Sequence, residues 1–198
     1  MSAEPAEKRS WTAEEYLAWE RVQPTKHEFF EGEIFAMAGA TVAHNLLVAR
    51  VVTALTNALD AGPCNACPSD MRVKVPATGL YTYPDAVVFC GKAELEDDET
   101  LDTLLNPRVL VEVLSESSEA YDRGKKFEQY RSIPSFTEYL LVAQDHVLIE
   151  HFSRQADNSW VLREARAGGR IDLASIGCVL QVDQIYLKVF SATGTQGS

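Results

Sequence analysis

Two apolar runs decide the fold of this chain: Tyr83-Pro84-Asp85-Ala86-Val87-Val88-Phe89 and Val109-Leu110-Val111-Glu112-Val113-Leu114. Runs of this length and composition are typical of strands that are buried on both faces of a sheet. Each run carries one carboxylate, and a buried carboxylate is costly unless it is hydrogen-bonded, paired or bound to a metal. We therefore predict that the runs form neighbouring strands and that Asp85 and Glu112 share one metal site.

The bulk composition is that of a globular domain. The chain has 198 residues, of which 46% are hydrophobic, and this length suits one domain with a substantial core. Because no internal repeat or linker interrupts it, we predict a single domain over residues 11–190, with flexible tails at 1–10 and 191–198. The apolar runs are too short for a membrane span and the N-terminus has no secretory signal, so we expect a cytoplasmic protein without a membrane partner.

The charge is unevenly distributed along the chain. The formal net charge is −11, which counts against any partner held mainly by long-range attraction to phosphate. However, the segment Glu94–Asp102 contains six acids, more than half of that excess, and we interpret it as a solvated loop. Five of the 18 Lys and Arg residues lie between Arg108 and Arg131. A nucleic-acid substrate is therefore compatible with the composition.

The cysteines do not indicate a disulfide framework in a chain of this size. Cys64 and Cys67 have the spacing of half a zinc site or of a redox dithiol, but Cys90 and Cys178 stand alone and supply no second pair. Glycine and proline residues surround the pair and indicate a loop. We predict two incidental loop cysteines, and a zinc or redox role is the weaker alternative.

Hydrophobic periodicity and turn residues predict the remaining elements. Helices are expected over 11–21, 44–59 and 121–131. A hairpin is expected over 28–37, and strands over 69–75, 138–142, 147–152 and 160–164, followed by a closing helix or strand over 182–190. His44 lies in the first turn of the second helix, and we interpret it as a surface or hydrogen-bonded histidine. The alternative is that it lies beside a phosphate bound at the helix N-terminus.

The two central carboxylates suit a hard divalent cation. Mg²⁺ and Mn²⁺ prefer oxygen ligands and leave positions open for water and substrate phosphates. The backbone carbonyl of Val113 could complete the protein's share, beside Asp85 and Glu112. Catalysis would also call for a nearby lysine that positions the attacking water and neutralises charge on the phosphate.

Several segments match a known family in their order along the chain. They are Glu28-Phe29-Phe30-Glu31-Gly32, Ser69-Asp70-Met71-Arg72-Val73, Pro84-Asp85-Ala86-Val87-Val88, Val111-Glu112-Val113-Leu114-Ser115, Asp122 with Lys126, Tyr130, and Glu138-Tyr139-Leu140-Leu141-Val142. Together these segments resemble the Uma-two family of restriction-endonuclease-like proteins, a branch of the PD-(D/E)XK nuclease superfamily. The resemblance spans roughly residues 11–186. It implies an α/β (α+β) fold with a restriction-endonuclease-like mixed β-sheet flanked by helices.

The resemblance also implies a site for Mg²⁺-dependent cleavage of phosphodiesters. Asp85 and Glu112 match the two acids of the superfamily motif, and Glu28 resembles an N-terminal acid that some members bring to the same site. The superfamily expects a lysine two residues after Glu112, where this chain has Leu114. Lys126 stands where the family usually carries a lysine, so it is the candidate replacement.

These observations lead to one main prediction and one rival from a different class. We predict a Mg²⁺- or Mn²⁺-dependent endonuclease acting on DNA, with Asp85, Glu112, Lys126 and Glu28 as catalytic residues and Asp85, Glu112 and Val113 as metal ligands. A homodimer is expected, because cutting both strands of a duplex calls for two copies of the site. The rival is a non-catalytic nucleic-acid or protein interaction module on a decayed nuclease fold, which Leu114 and the net negative charge would favour.

Overall fold

A computed structural model describes residues 10–37, 39–97 and 99–193 of the chain. Most of the two predicted tails, residues 1–9 and 194–198, lies outside the described residues, as do Ala38 and Asp98. Residues 191–193 belong to the last helix, which thus extends three positions into the predicted tail 191–198.

The described residues form short strands and helices that alternate along the chain. The strands are β1 His27–Phe30, β2 Glu33–Ala36, β3 Cys64–Pro68, β4 Arg72–Val75, β5 Leu80–Thr82, β6 Ala86–Cys90, β7 Thr103–Leu104, β8 Val109–Leu114, β9 Glu138–Ala143, β10 Ile149–Arg154, β11 Trp160–Ala165, β12 Arg170–Leu173 and β13 Cys178–Gln181. The helices are α1 Ala13–Glu20, α2 Val42–Leu59, α3 Glu119–Tyr121, α4 Phe127–Tyr130, α5 Val182–Ile185 and α6 Val189–Thr193. A π-helical turn, Asp122–Lys126, joins α3 to α4.

Within the described residues, the strands make two larger sheets and a separate β12–β13 hairpin. One sheet has the order β11-β10-β9-β8-β6-β3, and the other has the order β2-β1-β5-β4-β7. In the first sheet β8 and β9 are parallel while the other pairs are antiparallel, so this sheet is mixed, as predicted. The two central runs are neighbours, because β6 pairs with β8 and places Ala86 opposite Val111. Asp85 therefore lies directly before β6, beside the end of β8.

Strand β8 is buried on both faces, and its side chains alternate between two cores. Val109, Val111 and Val113 pack with α2 on one face of the sheet. Leu110 and Leu114 pack on the other face with α4 residues, among them Phe127. Because side chains alternate along a strand, Glu112 points toward the face that is covered by the π-helical turn and α4.

Two predicted local structures form as the sequence indicates. Thr12 caps α1 in a capping box with Glu15, in which each side chain accepts a backbone N–H from the other residue. Glu31 and Gly32 join β1 to β2 with positive φ angles of 49° and 80°. This conformation suits a two-residue hairpin turn, and glycine adopts it without strain.

Helix α2 combines a buried stripe with a long apolar composition. Leu47, Val51, Leu55 and Leu59 recur every four residues and pack against the sheet. With 18 residues and a mean hydropathy of 1.3, α2 is long and apolar enough to cross a membrane by those two criteria. The prediction considered only uninterrupted apolar runs, which stay short in α2, whereas the composition of the whole helix passes this test, as that of the core helix of a globular protein also does.

The loop prediction for Cys64 and Cys67 is wrong. These residues form the edge strand β3, which pairs with β6 and places Cys64 directly opposite Cys90. Cys64 and Cys90 form a disulfide, while Cys67 is a free cysteine. The prediction failed because strand pairing, and not local sequence, brings residues 26 positions apart together. A joint zinc or dithiol role for Cys64 and Cys67 is contradicted as well, since Cys64 is bonded elsewhere.

The acidic segment Glu94–Asp102 is only partly a solvated loop. Glu96 forms an ion pair with Lys74 and accepts a hydrogen bond from the Tyr81 hydroxyl at 2.8 Å. Asp102 forms ion pairs with Arg21 at 2.8 Å and with the buried Arg72 at 2.7 Å. The segment then enters β7, which pairs in parallel with β4. The ion pairs of Glu96 with Lys74 and of Asp102 with Arg72 hold the segment against the five-stranded sheet.

Candidate active site

Lys126 is the centre of a buried polar cluster. Its Nζ lies 3.0 Å from Oε1 of Glu112, 3.0 Å from Oε1 of Glu28 and 3.5 Å from Oδ1 of Asp122. The exposed fraction is 4% for Lys126, 4% for Glu112 and 3% for Asp122. The structure thus brings three of the predicted catalytic residues, Glu28, Glu112 and Lys126, into direct contact.

Local structure explains why the lysine comes from a helix and not from the strand. Leu114, where the superfamily motif has its lysine, is buried among apolar residues and packs in the same core as Phe127. The π-helical turn Asp122–Lys126 crosses above this face of β8, and Lys126 extends to the carboxylate of Glu112. Single π-turns inside helices are frequent at functional sites, where they redirect a side chain.

The second sheet contributes to the same cluster. Glu28 lies on β1 and accepts a hydrogen bond from the hydroxyl of Thr82 on β5. From α4, the hydroxyl of Tyr130 donates to Oε1 of Glu112 at 2.8 Å. Both carboxylates are therefore held by neutral donors in addition to the ammonium of Lys126, which fixes their orientation.

The pKa shifts in this cluster follow from burial and charge. Burial raises the pKa of Glu112 well above its usual value, and the nearby Asp122 and Asp85 add to the shift, while Lys126 opposes it. For Lys126, burial favours the neutral amine, but Glu112, Glu28 and Asp122 outweigh burial and hold its pKa well above the usual value. Lys126 is therefore a cation at neutral pH, able to donate hydrogen bonds but not to accept a proton.

Asp85 lies beside the end of β8 and contacts a different set of groups. The backbone N–H of Val113 donates to Oδ2 of Asp85 at 2.7 Å. Nε2 of His44, in the first turn of α2, lies 3.3 Å from the same oxygen. Burial would lower the pKa of His44, but Asp85 and a hydrogen bond to the backbone of Val113 raise it. The ring therefore faces a carboxylate, which disfavours the alternative that His44 binds a phosphate.

A sequence model of the Uma2 family, described as putative restriction endonucleases, matches residues 13–183. The chain belongs to the Uma2 family. Two proteins of Synechocystis sp. (strain ATCC 27184 / PCC 6803 / Kazusa), both described as uncharacterised, support this. One, slr1290, is 40% identical over 173 residues, covering 87% of this chain and 90% of the relative. The other, sll1609, is 35% identical over 153 residues, covering 77% of this chain and 86% of the relative.

A solved structure shares the fold of this Uma2 protein. It is a crystal structure from Anabaena variabilis ATCC 29413, described as a putative nuclease belonging to DUF820. The TM-score is 0.70 at 14% sequence identity, and the match covers 89% of this chain and 97% of the other. At this identity the likeness shows the fold alone, and it confirms the predicted α+β, restriction-endonuclease-like architecture.

The charge of the site fits a divalent cation. Among the described residues, its four carboxylates are those of Glu28, Asp85, Glu112 and Asp122. Lys126 and a protonated His44 offset two of these negative charges, so two remain if every group is ionised. Consistent with this excess, the pKa of Asp122 is raised, by burial first and also by Glu28 and Asp85. One divalent ion would balance the remaining charge.

The donor atoms also fit such an ion. Val113 directs its N–H toward Asp85, and in an extended strand the carbonyl of a residue points to the same side as its N–H. Across residues 10–37, 39–97 and 99–193, no three His, Cys, Asp or Glu side chains are arranged to hold a metal by themselves. The Uma2 protein would accordingly supply Asp85, Glu112 and the Val113 carbonyl, with water completing the set, as Mg²⁺ commonly retains several waters.

Sequence reasoning left three members of the cluster without a role. Asp122, which is buried, was named only among the segments that match the family, and Tyr130 and Thr82 were assigned no function. A signal for two of them was present, because Asp122, Lys126 and Tyr130 recur at intervals of four and are all polar. Such spacing places side chains on one face of a helix. Thr82 had no comparable signal, since its contact with Glu28 depends on the pairing of β5 with β1.

Proposed function

We propose that this Uma2 protein is a divalent-metal-dependent endonuclease that hydrolyses phosphodiester bonds in DNA. The observation that carries the proposal is the position of the Lys126 ammonium, 3.0 Å from the Glu112 carboxylate. The helix thereby provides, next to the second acid of the motif, the cation that is missing from the strand at Leu114.

The metal ligands in this proposal are Asp85, Glu112 and the carbonyl of Val113, and the ion is Mg²⁺ or Mn²⁺. Bound there, such an ion would supply Lewis-acid chemistry, by lowering the pKa of a water molecule and offsetting phosphate charge. The protein's own task is orientation. The Val113 N–H holds Asp85, and the Tyr130 hydroxyl holds Glu112.

Lys126 acts as a hydrogen-bond donor in the proposed reaction. Because its pKa is raised, it is charged at the pH of catalysis and is able to orient the attacking water and stabilise the negative charge that builds on the phosphate. Glu28 and Asp122 keep the ammonium in place from two other sides. In this arrangement Glu28 supports catalysis through Lys126.

Cleavage of both strands of a duplex by one site per chain calls for two chains, so we also propose a homodimer. Sedimentation velocity at several protein concentrations measures the assembly directly. A protein that sediments as a monomer throughout the range would contradict this part of the proposal and would predict single-strand nicks only.

The activity is tested with supercoiled plasmid in Mg²⁺ or Mn²⁺. We expect nicking by the wild-type protein and a loss of at least about a hundredfold in Asp85→Asn and in Lys126→Met, the order of effect seen when one charge-stabilising donor is removed from an active site. Lys125→Met is the matched control, because Lys125 is the exposed neighbour of Lys126 in the same turn. It should retain wild-type activity.

The other outcomes separate the rival functions. Nicking that persists unchanged in Asp85→Asn would identify a contaminating nuclease. Absence of nicking with either metal, together with DNA retained in a gel-shift assay, would favour the non-catalytic binding module. Full activity of Lys126→Met alongside an inactive Asp85→Asn would leave the nuclease standing but remove Lys126 from its mechanism.

A further inference from the structure

A basic pocket lies on the same face of the six-stranded sheet as the Lys126 cluster. It forms where the end of α4 meets the turn between β10 and β11, and its volume of about 350 Å³ is within the range of ligand-binding sites. The pocket is lined by Glu128, Arg131, Ser132, Arg154, Asn158 and Trp160. Trp160 packs against the same apolar core as Leu114, so the pocket and the proposed active site share one face of the protein.

The two arginines of the pocket are held side by side. The guanidinium carbon of Arg154 lies 5.1 Å from the centre of the Trp160 ring, and that of Arg131 lies 5.3 Å from the centre of the Phe127 ring. These two rings contact each other edge to face, with their centres 5.1 Å apart. Nη2 of Arg154 also donates to the backbone carbonyls of Arg131 and, at 3.3 Å, of Ile133. Both cations are therefore positioned before any ligand arrives, which lowers the entropy cost of binding.

The charge of these two arginines is not balanced within residues 10–37, 39–97 and 99–193. No carboxylate in those ranges forms an ion pair with Arg131 or Arg154, although Glu128 lines the same pocket. Nε of Arg154 is buried and has no hydrogen-bond partner there. Burial lowers the pKa of the Arg154 guanidinium, as is expected for a cation without a counter-ion. Two adjacent positive charges are therefore available to an anion, in a protein whose formal net charge is −11.

We propose that Arg131 and Arg154 bind a phosphate of the DNA backbone away from the scissile bond, so that the pocket positions the substrate strand. This inference rests on the proposed function, because it concerns the substrate of the same site. The planar fork of a guanidinium matches two oxygens of a phosphate, and the side-chain amide of Asn158 offers a further donor in the pocket.

The position of the pocket suits a contact on the strand that is cut. Arg131 follows Lys126 by five residues in one helical segment, so its backbone lies about 7.5 Å further along the helix axis. Each strand of a duplex advances about 3.4 Å per nucleotide. A strand that runs along this segment would therefore present to Arg131 a phosphate about two nucleotides from the one near Lys126.

A purely structural role accounts for only part of this arrangement. The bonds from Nη2 of Arg154 close the end of α4, which is a common use of a basic side chain. Arg131 has no such task, because it is exposed and its guanidinium stacks on Phe127 without a hydrogen bond or ion pair to any described side chain. Arg131 is therefore the residue whose replacement tests ligand binding without disturbing the fold.

The salt dependence of DNA binding tests the pocket. Fluorescence anisotropy of a short labelled duplex in EDTA measures the affinity of the intact protein in the absence of cleavage. Between about 50 and 200 mM KCl, we expect Arg131→Gln to bind about tenfold more weakly at the low-salt end and to reduce the slope of log affinity against log salt by about one. Arg154→Gln should show the same change of slope. The loss should be equal on duplexes of different sequence, since backbone contacts carry no sequence information.

Matched variants separate a phosphate contact from a general effect of charge or folding. Arg131→Lys keeps the positive charge and should retain most of the wild-type slope. Arg170→Gln removes the same charge from an exposed position on β12, which packs on the opposite face of the sheet, and should bind as wild type. Glu128→Gln removes the negative charge from the pocket and should bind DNA more tightly. In the nicking assay, Arg131→Gln should raise KM with kcat unchanged, because a remote contact binds substrate and transition state equally.

The possible failures are distinguishable. An unchanged salt slope in both Arg131→Gln and Arg154→Gln would overturn the pocket, and plasmid nicking by the wild-type protein would then leave the proposed function standing. A change in affinity for inorganic phosphate with an unchanged slope on DNA would assign the pocket to a small anion and would also overturn the proposal, as would a wild-type protein that binds no DNA. The expected change of slope without nicking in either metal would uphold the pocket and remove the nuclease.

Discussion

At the scale of single residues, the decisive feature is one ammonium surrounded by three buried carboxylates. Breaking a buried ion pair by removing one partner is far more damaging than removing both, since the remaining charge has neither water nor a counter-ion. Lys126 contacts Glu28, Glu112 and Asp122. Its positive charge therefore offsets carboxylates from both sheets and from its own helical segment. The same contacts that serve the proposed chemistry therefore also stabilise the fold.

Substitution of Lys126 is expected to lower stability in a pH-dependent way. At pH 7.5, Lys126→Met should reduce the free energy of unfolding by about 3–5 kcal/mol, because carboxylates remain buried without a cation. Burial raises the pKa of Glu112 in the folded protein, and loss of Lys126 raises it further. The folded state then binds protons more readily than the unfolded state, so the deficit should shrink as the pH falls toward 5.

Urea denaturation at pH 7.5 and 5.5 measures this effect, with Lys125→Met as the control that removes the same charge from an exposed position. Equal stability of the two variants at pH 7.5 would show that the Lys126 cluster is more hydrated than the structure indicates.

At the scale of elements, the acidic segment Glu94–Asp102 contacts the five-stranded sheet, and two arginines form ion pairs with its last residue. Arg21 at the end of α1 and Arg72 on β4 both contact Asp102, and Arg72 also donates hydrogen bonds to Thr103 at 3.0 Å and to the Tyr83 hydroxyl at 2.9 Å. Arg72 is 2% exposed, so Asp102 is the counter-ion of a buried guanidinium. This anchor connects the first helix, the five-stranded sheet and the insertion.

Asp102→Asn should therefore destabilise the protein near neutral pH and lose this effect in acid. Burial alone would raise the pKa of Asp102, but Arg21 and Arg72 lower it below its usual range. A carboxyl with a depressed pKa contributes stability that is fully present above the unfolded pKa of about 3.9 and is lost as the pH falls through the folded pKa. We expect a difference of about 1–3 kcal/mol at pH 7 that narrows below pH 3.9.

Chemical denaturation of wild type and variant across this pH range gives the difference directly. Glu99→Gln removes one negative charge from an exposed position in the same segment and should change stability little. A difference between wild type and Asp102→Asn that stays constant with pH would argue against the ion pairs as its cause.

At the scale of the whole molecule, the site depends on the meeting of the two sheets. Glu28 and Thr82 come from the five-stranded sheet, while Glu112 comes from the six-stranded sheet, and Lys126 extends from the π-helical turn to both glutamates. The outer edge of the six-stranded sheet is closed covalently, because the disulfide joins edge strand β3 to β6, the strand that follows Asp85. A link at this edge limits separation of β3 from the sheet that carries the site.

Loss of this disulfide is expected to lower global stability. Cross-linking residues 26 positions apart restricts the unfolded chain, so reduction or Cys64→Ala should cost about 2–4 kcal/mol. Unfolding curves with and without a reductant measure the difference. Cys67→Ala is the control, because Cys67 is free and its variant should still respond to reductant. An unchanged unfolding midpoint on reduction would show that the thiols are not joined in the protein in solution.

The sequence by itself determined the elements around the site and indicated that the two central strands are neighbours. Short apolar runs indicated β6 and β8, four-residue spacing indicated the buried stripe of α2, and the ordered motifs indicated the family. These features follow from local periodicity, which specifies the apolar face of each element and depends only on residues close in the chain. The position of Leu114 in β8 likewise showed that the expected lysine was absent.

Only the tertiary structure decided which groups meet across elements. It brought Lys126 to Glu112, placed Glu28 from the second sheet beside both, and turned His44 toward Asp85. It also paired Cys64 with Cys90, whereas the glycine and proline residues around Cys64 had indicated a loop. These contacts depend on strand register and on the angle at which sheets and helices pack. Strand register and packing angle are set by the whole core, so they cannot be predicted from the periodicity of any one segment.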